Sequence, residues 1–218
     1  MHFVSRIHAG RILAKQLLPD FRYEDCVVIA LSAGGVVAGA QIAQYLHSAL
    51  LMIMTEEIYL PHEPVSIGSI TSDGEFMVNN FLGSGDVDEL LEEYRGVIEE
   101  QKITKLREMN EVVENSGLVK KEMIQYRSVV LVSDGFNGDL SLSVAYEYLK
   151  PFKINKLIIA APIANVKAID WMHAMADKIF CLWVTDEDFE TNRYYDKDDV
   201  PDQKTINNMI HNIILNWK

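Results

Sequence analysis

Residues 129–149, VVLVSDGFNGDLSLSVAYEYL, hold four apolar residues in a row, a turn opening on Ser133-Asp134-Gly135, and then a run with helical spacing. A short apolar run closed by glycine reads as a buried strand, and the segment after it as the helix that follows. In an α/β protein, such a turn at the carboxyl end of a strand is where a phosphate sits, because the first helical amides and the helix dipole point there. Asp139, at the foot of the expected helix, puts a carboxylate in the same place. The turn is either a phosphate cradle or a cradle closed by its own acid.

Outward from this unit, strands and helices alternate. An opening helix over MHFVSRIHAGRILAKQLL precedes an apolar run at 26–31, then Ser32-Ala33-Gly34-Gly35 and the helical stretch VVAGAQIAQYLH, a second strand–turn–helix unit. Further apolar runs at 50–54, 156–161 and 178–184 predict strands, and 166–174 and 204–216 predict helices. VSIGSITSDGEFMVNN alternates around Asp73-Gly74, a hairpin signal. Residues 86–113 carry apolar positions at helical spacing in a charged background and predict one long amphipathic helix. The pattern predicts an α/β fold: a mainly parallel central sheet with helices on both faces and a small β-hairpin annex. Without repeats, low-complexity segments or an obvious linker, residues 1–218 read as a single domain.

Charge narrows the partners. Lys+Arg 20 against Asp+Glu 32 gives a formal net charge of −12, which argues against nucleic acid or an anionic membrane surface. No apolar run approaches the ~20 residues needed to span a bilayer. The opening segment lacks the apolar core of a secretory signal. Cys26 and Cys181 each lie in an apolar run and read as free buried thiols of a reducing cytoplasm.

The order of parts resembles the type I phosphoribosyltransferases, and more narrowly a bacterial group of predicted phosphoribosyltransferases, over nearly the whole chain. Phe3, Arg6, Ala9 and Gly10 stand where that group has Phe, Arg and Ala-Gly. IALSAGGVVAGAQIA is similar to its pyrophosphate loop, SIGSITSDG to its hairpin, and ADKIFCLWVTDEDF with RYYDKDDVPDQ to its carboxyl end. VVLVSDGFNGDLSLSV stands where the family has its signature: an acidic pair, Gly, an apolar residue, Ala-Thr-Gly and a small residue. The resemblance implies a site for phosphoribosyl pyrophosphate with magnesium; separately, a homodimer is expected, with the 86–113 helix at its interface. Its ligand-binding loop would be Ser133, Asp134, Gly135, Phe136, Asn137, Gly138, Asp139, Leu140 and Ser141, with Asp134 the catalytic acid. Its pyrophosphate loop would be Ser32, Ala33, Gly34 and Gly35.

Against that template the chain departs where charge matters. The first acid of the signature is Ser133, and Ala-Thr-Gly becomes Asn137-Gly138-Asp139. The pyrophosphate loop has Ala33 in place of arginine, and Glu56-Glu57 follow the second strand where the family has a basic residue. Each change removes a donor or positive charge, or adds negative charge. Like charges ~4 Å apart at an effective dielectric near 20 repel by about 4 kcal/mol, roughly three decades of affinity. An aspartate at a helix start also caps the amides a phosphate would use.

The expectation is a phosphoribosyltransferase-like protein with weak or lost catalysis and a binding or regulatory role toward a partner, or toward a phosphorylated or sugar-like small molecule. A second reading keeps an active phosphoribosyltransferase, with a compensating cation from Lys102, Lys105, Arg107, Lys120 or Lys121. A third makes Ser32 the nucleophile of an α/β-hydrolase, with His211 following in a permitted order. The histidines show no pair at metal-ligand spacing, so no metal site is expected from the residues alone. The acidic stretch TDEDFETNRYYDKDDVPDQ reads as a solvated edge.

Overall fold

In chain order, the elements begin with α1 (Arg6–Phe21), β1 (Cys26–Ala30), α2 (Ala33–Leu46) and β2 (Ala49–Met52). They continue with β3 (Thr55–Tyr59), β4 (Ser66–Thr71), β5 (Phe76–Val78), α3 (Ser84–Glu93) and α4 (Arg95–Val113). The last group is α5 (Lys121–Ile124), β6 (Ser128–Val132), α6 (Leu140–Leu149), β7 (Lys156–Asn165), α7 (Val166–Met175), β8 (Lys178–Thr185) and α8 (Gln203–His211). The structure, a computed structural model, describes residues 2–61, 66–72, 74–79, 84–113, 121–138 and 140–217. They form two compact units, Met1–Ile53 with Val119–Lys218, and Met54–Leu118.

The first unit carries a five-stranded sheet in the order β2-β1-β6-β7-β8. All four pairings are parallel, and every residue of β1 and β6 is buried. Both faces are covered, which is why these strands are continuously apolar and do not alternate. On one face Val28, Ala30, Val130, Val132, Ile158 and Ala160 pack with α1, α2 and α8. Successive side chains alternate across a sheet. Val27, Ile29, Val129, Leu131 and Ile159 therefore face the other side, and α6 and α7 bury Leu142, Ala145, Ala168 and Met172.

The second unit holds a three-stranded antiparallel sheet, β3-β4-β5, with α3 and α4. Its core joins Ile58, Ile67 and Ile70 to Val87, Ile98 and Met109. The hairpin expected around Asp73-Gly74 is β4–β5, and Gly74 takes φ +85° there, while Asp73 lies outside the described residues. The long helix expected over 86–113 is two helices, broken at Tyr94. Gly96 just beyond the break has no packing that would offset its low helix propensity. Glu56 and Glu57, which follow the second expected strand, lie in β3.

β7 runs four residues past the end expected at Ala161, through Pro162. A proline cannot donate to a ladder and so argues against a central strand. Here β6–β7 pairing stops at Val132↔Ala160, so that neighbour asks nothing of Pro162. Pairing resumes at Phe136↔Ala164, where Phe136 N donates to Ile163 O and Asn165 N to Phe136 O, both at 3.0 Å. Ser133, Asp134 and Gly135 are thus an excursion pinned at both ends to one strand, which holds Asp134 at the carboxyl end of the sheet.

Candidate functional site

Three segments of the first unit meet at this excursion: the β1–α2 turn, the start of α1, and the chain between Phe189 and Asp199. Ser32 is the N-cap of α2, and its hydroxyl accepts from Gly35 N at 2.8 Å. The same hydroxyl donates to Asp134 Oδ1 at 2.7 Å. Gly34 lies directly against that carboxylate. A Cβ there would stand 2.0 Å from Asp134 Oδ2 and 2.6 Å from Arg6 Nε, so only glycine allows the approach.

Arg6, at the first position of α1, is 1% exposed. Its Nε donates to Asp134 Oδ2 at 2.7 Å, and Nη2 donates to Asn192 Oδ1 at 2.5 Å. Nη1 lies 3.5 Å from Asp199 Oδ1, and Cζ sits 4.4 Å from the centre of the Tyr195 ring. Asp199 also accepts from the backbone N–H groups of Arg6 and Ile7, a carboxylate at the positive end of the helix. The Tyr195 hydroxyl donates to the Asp134 carbonyl at 2.5 Å. Burial, and then the negative charge of Asp134, push the Tyr195 phenol above its ordinary range, so it remains a donor. Both oxygens of Asp134 are therefore occupied from within the protein.

The remaining loop residues divide between packing and tethering. Ser133 is buried and its hydroxyl donates to Gly135 O at 2.9 Å. Phe136 is 1% exposed and its backbone groups belong to the β7 pairing, so this position fills the core. Asn137 Nδ2 donates to Phe189 O at 2.6 Å, and Asn137 Oδ1 accepts from Asn165 Nδ2 at 3.2 Å. Gly138 takes φ +111°, a conformation that favours glycine. Asp139 lies outside the described residues. Leu140 begins α6, Ser141 is exposed, and Ala33 opens the first turn of α2 beside Gly35.

Ser32 has its hydroxyl turned to a carboxylate and a backbone amide, and His211 Nδ1 lies 2.8 Å from Asn207 O within its own helix, so no serine–histidine contact supports the hydrolase reading. Of the expected compensating cations, Lys105 pairs with Glu56 at 3.2 Å and Lys102 with Glu99 at 2.8 Å inside the second unit, and Arg107 is exposed. Lys120 and the side chain of Lys121 lie outside the described residues. The cation at Asp134 is Arg6, which the sequence places in the opening motif and not in the site. Its one signal is an arginine on the apolar face of α1, in step with Ala9, Gly10 and Leu13. The acidic stretch expected as a solvated edge is in part buried, through Tyr195 at 7%.

Magnesium, implied by the resemblance, does not fit these residues as they stand. Asp134 offers no oxygen that is not already accepting a hydrogen bond, and among the described residues no three His, Cys, Asp or Glu side chains gather as a metal site.

No family model matches the chain. Two curated proteins of Mycobacterium tuberculosis, strains CDC 1551 / Oshkosh and ATCC 25618 / H37Rv, each named "Putative phosphoribosyl transferase", are 24% identical over 181 residues, 83% of this chain. The chain is similar to these two proteins over most of its own length. It spans 40% of the length of these curated relatives. Among solved structures, that of TT1426 from Thermus thermophilus superposes with TM-score 0.75 at 20% identity, covering 96% of this chain and 98% of that one. A hypoxanthine phosphoribosyltransferase from Staphylococcus aureus gives TM-score 0.46 at 14% identity, over 86% of this chain and 78% of its own. The α/β fold expected from sequence, a mainly parallel sheet between helices with a small antiparallel annex, is the fold observed, and TT1426 shares it.

Proposed function

We propose that this chain uses the phosphoribosyltransferase fold to bind a partner, or a phosphorylated or sugar-like small molecule, with transfer from phosphoribosyl pyrophosphate weak or lost. The observation that supports it most directly is the state of Asp134. The acid that would grip the ribose hydroxyls is buried against Gly34 and bonded to Arg6 and Ser32. For a sugar to reach it, a buried ion pair must open, and an unpaired buried charge is costly. Ser133 in place of the first acid bonds to its own loop, and Phe136 N is held by Ile163 O, which removes two further contacts from a ligand. The 1–218 chain is read as one functional domain, acting in the cytoplasm as a homodimer. Among the described residues no helix is long and apolar enough to cross a membrane.

Isothermal calorimetry with phosphoribosyl pyrophosphate and magnesium tests the proposal. Heats indistinguishable from dilution are expected, and micromolar binding would refute it. An active transferase is the second reading, favoured by the name its curated relatives carry. Diphosphate release above background with any member of a panel of purine and pyrimidine bases would establish it.

A further inference from the structure

The side chains around Arg6 are oxygen donors of the kind that hold a hard divalent ion. Besides Asp134 Oδ2 and Asn192 Oδ1, Asp199 Oδ1 lies 3.5 Å and Asp198 Oδ1 3.6 Å from Nη1. Carboxylates and an amide oxygen are the ligands magnesium and calcium select. Here they are spread around a planar guanidinium and divided among its nitrogens, which is the fork geometry arginine imposes on its partners. The Tyr195 ring closes one face of that plane and Gly34 lies against the Nε edge. Arginine cannot shed its proton in a protein, so this positive charge is permanent.

We infer that Arg6 is the resident cation of Asp134, held in an oxygen-lined cage in place of a divalent metal, so that the Ser133–Gly138 loop makes any ligand contact without metal. The inference rests on reading that loop as the altered sugar-phosphate loop of the proposed function. A divalent ion approaching Asp134 meets a guanidinium already in contact with the carboxylate and repelling it. To displace the guanidinium, it must be drawn out of a pocket where it is 1% exposed. Asp198, at 70% for its side chain, and Asn192 are the exposed members of the set, whereas Asp134 and Asp199 are held inside it.

The test follows the carboxylate carbon of Asp134 by 13C NMR during a Mg2+ titration, with the exposed Asp186 and Asp188 carboxylates as internal references for loose surface binding. In the wild type the Asp134 signal stays in place while the references drift. In Arg6→Gln it moves at Mg2+ concentrations lower by roughly a hundredfold or more, the repulsion between contacting like charges having been removed. Arg6→Lys keeps a cation and is expected to behave as the wild type, which covers the case where the glutamine variant does not fold. A wild-type Asp134 signal that saturates with Mg2+ ahead of the references overturns the inference, as does a folded Arg6→Gln protein whose Asp134 ignores the metal. Neither result depends on phosphoribosyl pyrophosphate. Tight binding of that compound with an unmoved Asp134 signal would instead count against the proposed function alone.

Discussion

Cutting Arg6 back to alanine leaves Asp134 buried without a counter-charge, because the guanidinium is its one cationic partner among the described contacts. Removing one member of a buried pair typically costs about 3–5 kcal/mol. Arg6→Ala is therefore expected to lower the urea unfolding free energy by about that much, and a loss under about 1 kcal/mol would show that the pair is not a structural anchor. The two cysteines separate chemically. Burial, reinforced by Glu24 and Asp25, pushes the Cys26 thiol up to about 12, while Cys181, also raised by burial, is only half-buried. Under native conditions near neutral pH, iodoacetamide should label Cys181 first and spare Cys26 until the chain unfolds, and equal labelling by mass spectrometry would contradict this. Residues of this kind divide what sequence can and cannot tell. The acid at 134 is visible as part of a strand–turn–helix motif. Its neutralisation is not, because Arg6 is 128 positions away and the contact exists only after α1 docks.

Elements are legible where one local rule governs them. β1 and β6 are continuous apolar runs because both faces are covered, and α2 begins at Ser32 because its hydroxyl caps the helix. They are misread where tertiary context overrides the local rule. β3 is TEEIY, polar in sequence yet a strand through its pairing with β4. β7 passes through Pro162 because its neighbour has left the ladder, and the 86–113 helix breaks beside Gly96. The α2 cap is expected to matter twice, since Ser32→Ala removes both the bond from Gly35 N and the bond to Asp134. A loss of about 2 kcal/mol in chemical denaturation is expected, above that of a simple cap, and a loss of a few tenths would show that neither bond matters. At the opposite end of the sheet, Glu24 accepts from Lys156 at 2.6 Å and from Ser128 at 2.8 Å, and the Lys156 bond holds its carboxyl below the ordinary 4.5. A folded-state value below the unfolded one stabilises the protein above that range, and the benefit disappears as pH falls through the folded value. Glu24→Gln should therefore flatten the acid limb of the stability curve and lower its neutral plateau slightly. An unchanged acid limb in urea titrations would rule this contribution out.

At the scale of the whole molecule, β8 forms an edge of the main sheet. It has Trp183 41% and Val184 45% exposed, with no proline or inward charge to discourage pairing. Lys178 begins the strand and Asp186, Glu187 and Asp188 follow it. Antiparallel pairing of two copies would set each lysine end beside the partner's acidic end, an attraction that works against the repulsion between two chains of net charge −12. A homodimer through this edge is an alternative to one through the 86–113 helix, and in that case Trp183→Lys should convert it to monomer by analytical ultracentrifugation. A wild-type chain that sediments as monomer at high concentration would exclude it. A sugar bound at the first unit would have to break the Arg6–Asp134 ion pair, and diffraction from crystals soaked with magnesium and phosphoribosyl pyrophosphate shows whether it does. The prediction is an unbroken Arg6–Asp134 contact at 2.7 Å with no sugar at the Ser133–Gly138 loop. Ribose hydroxyls seated on Asp134, with Arg6 swung away, would contradict it.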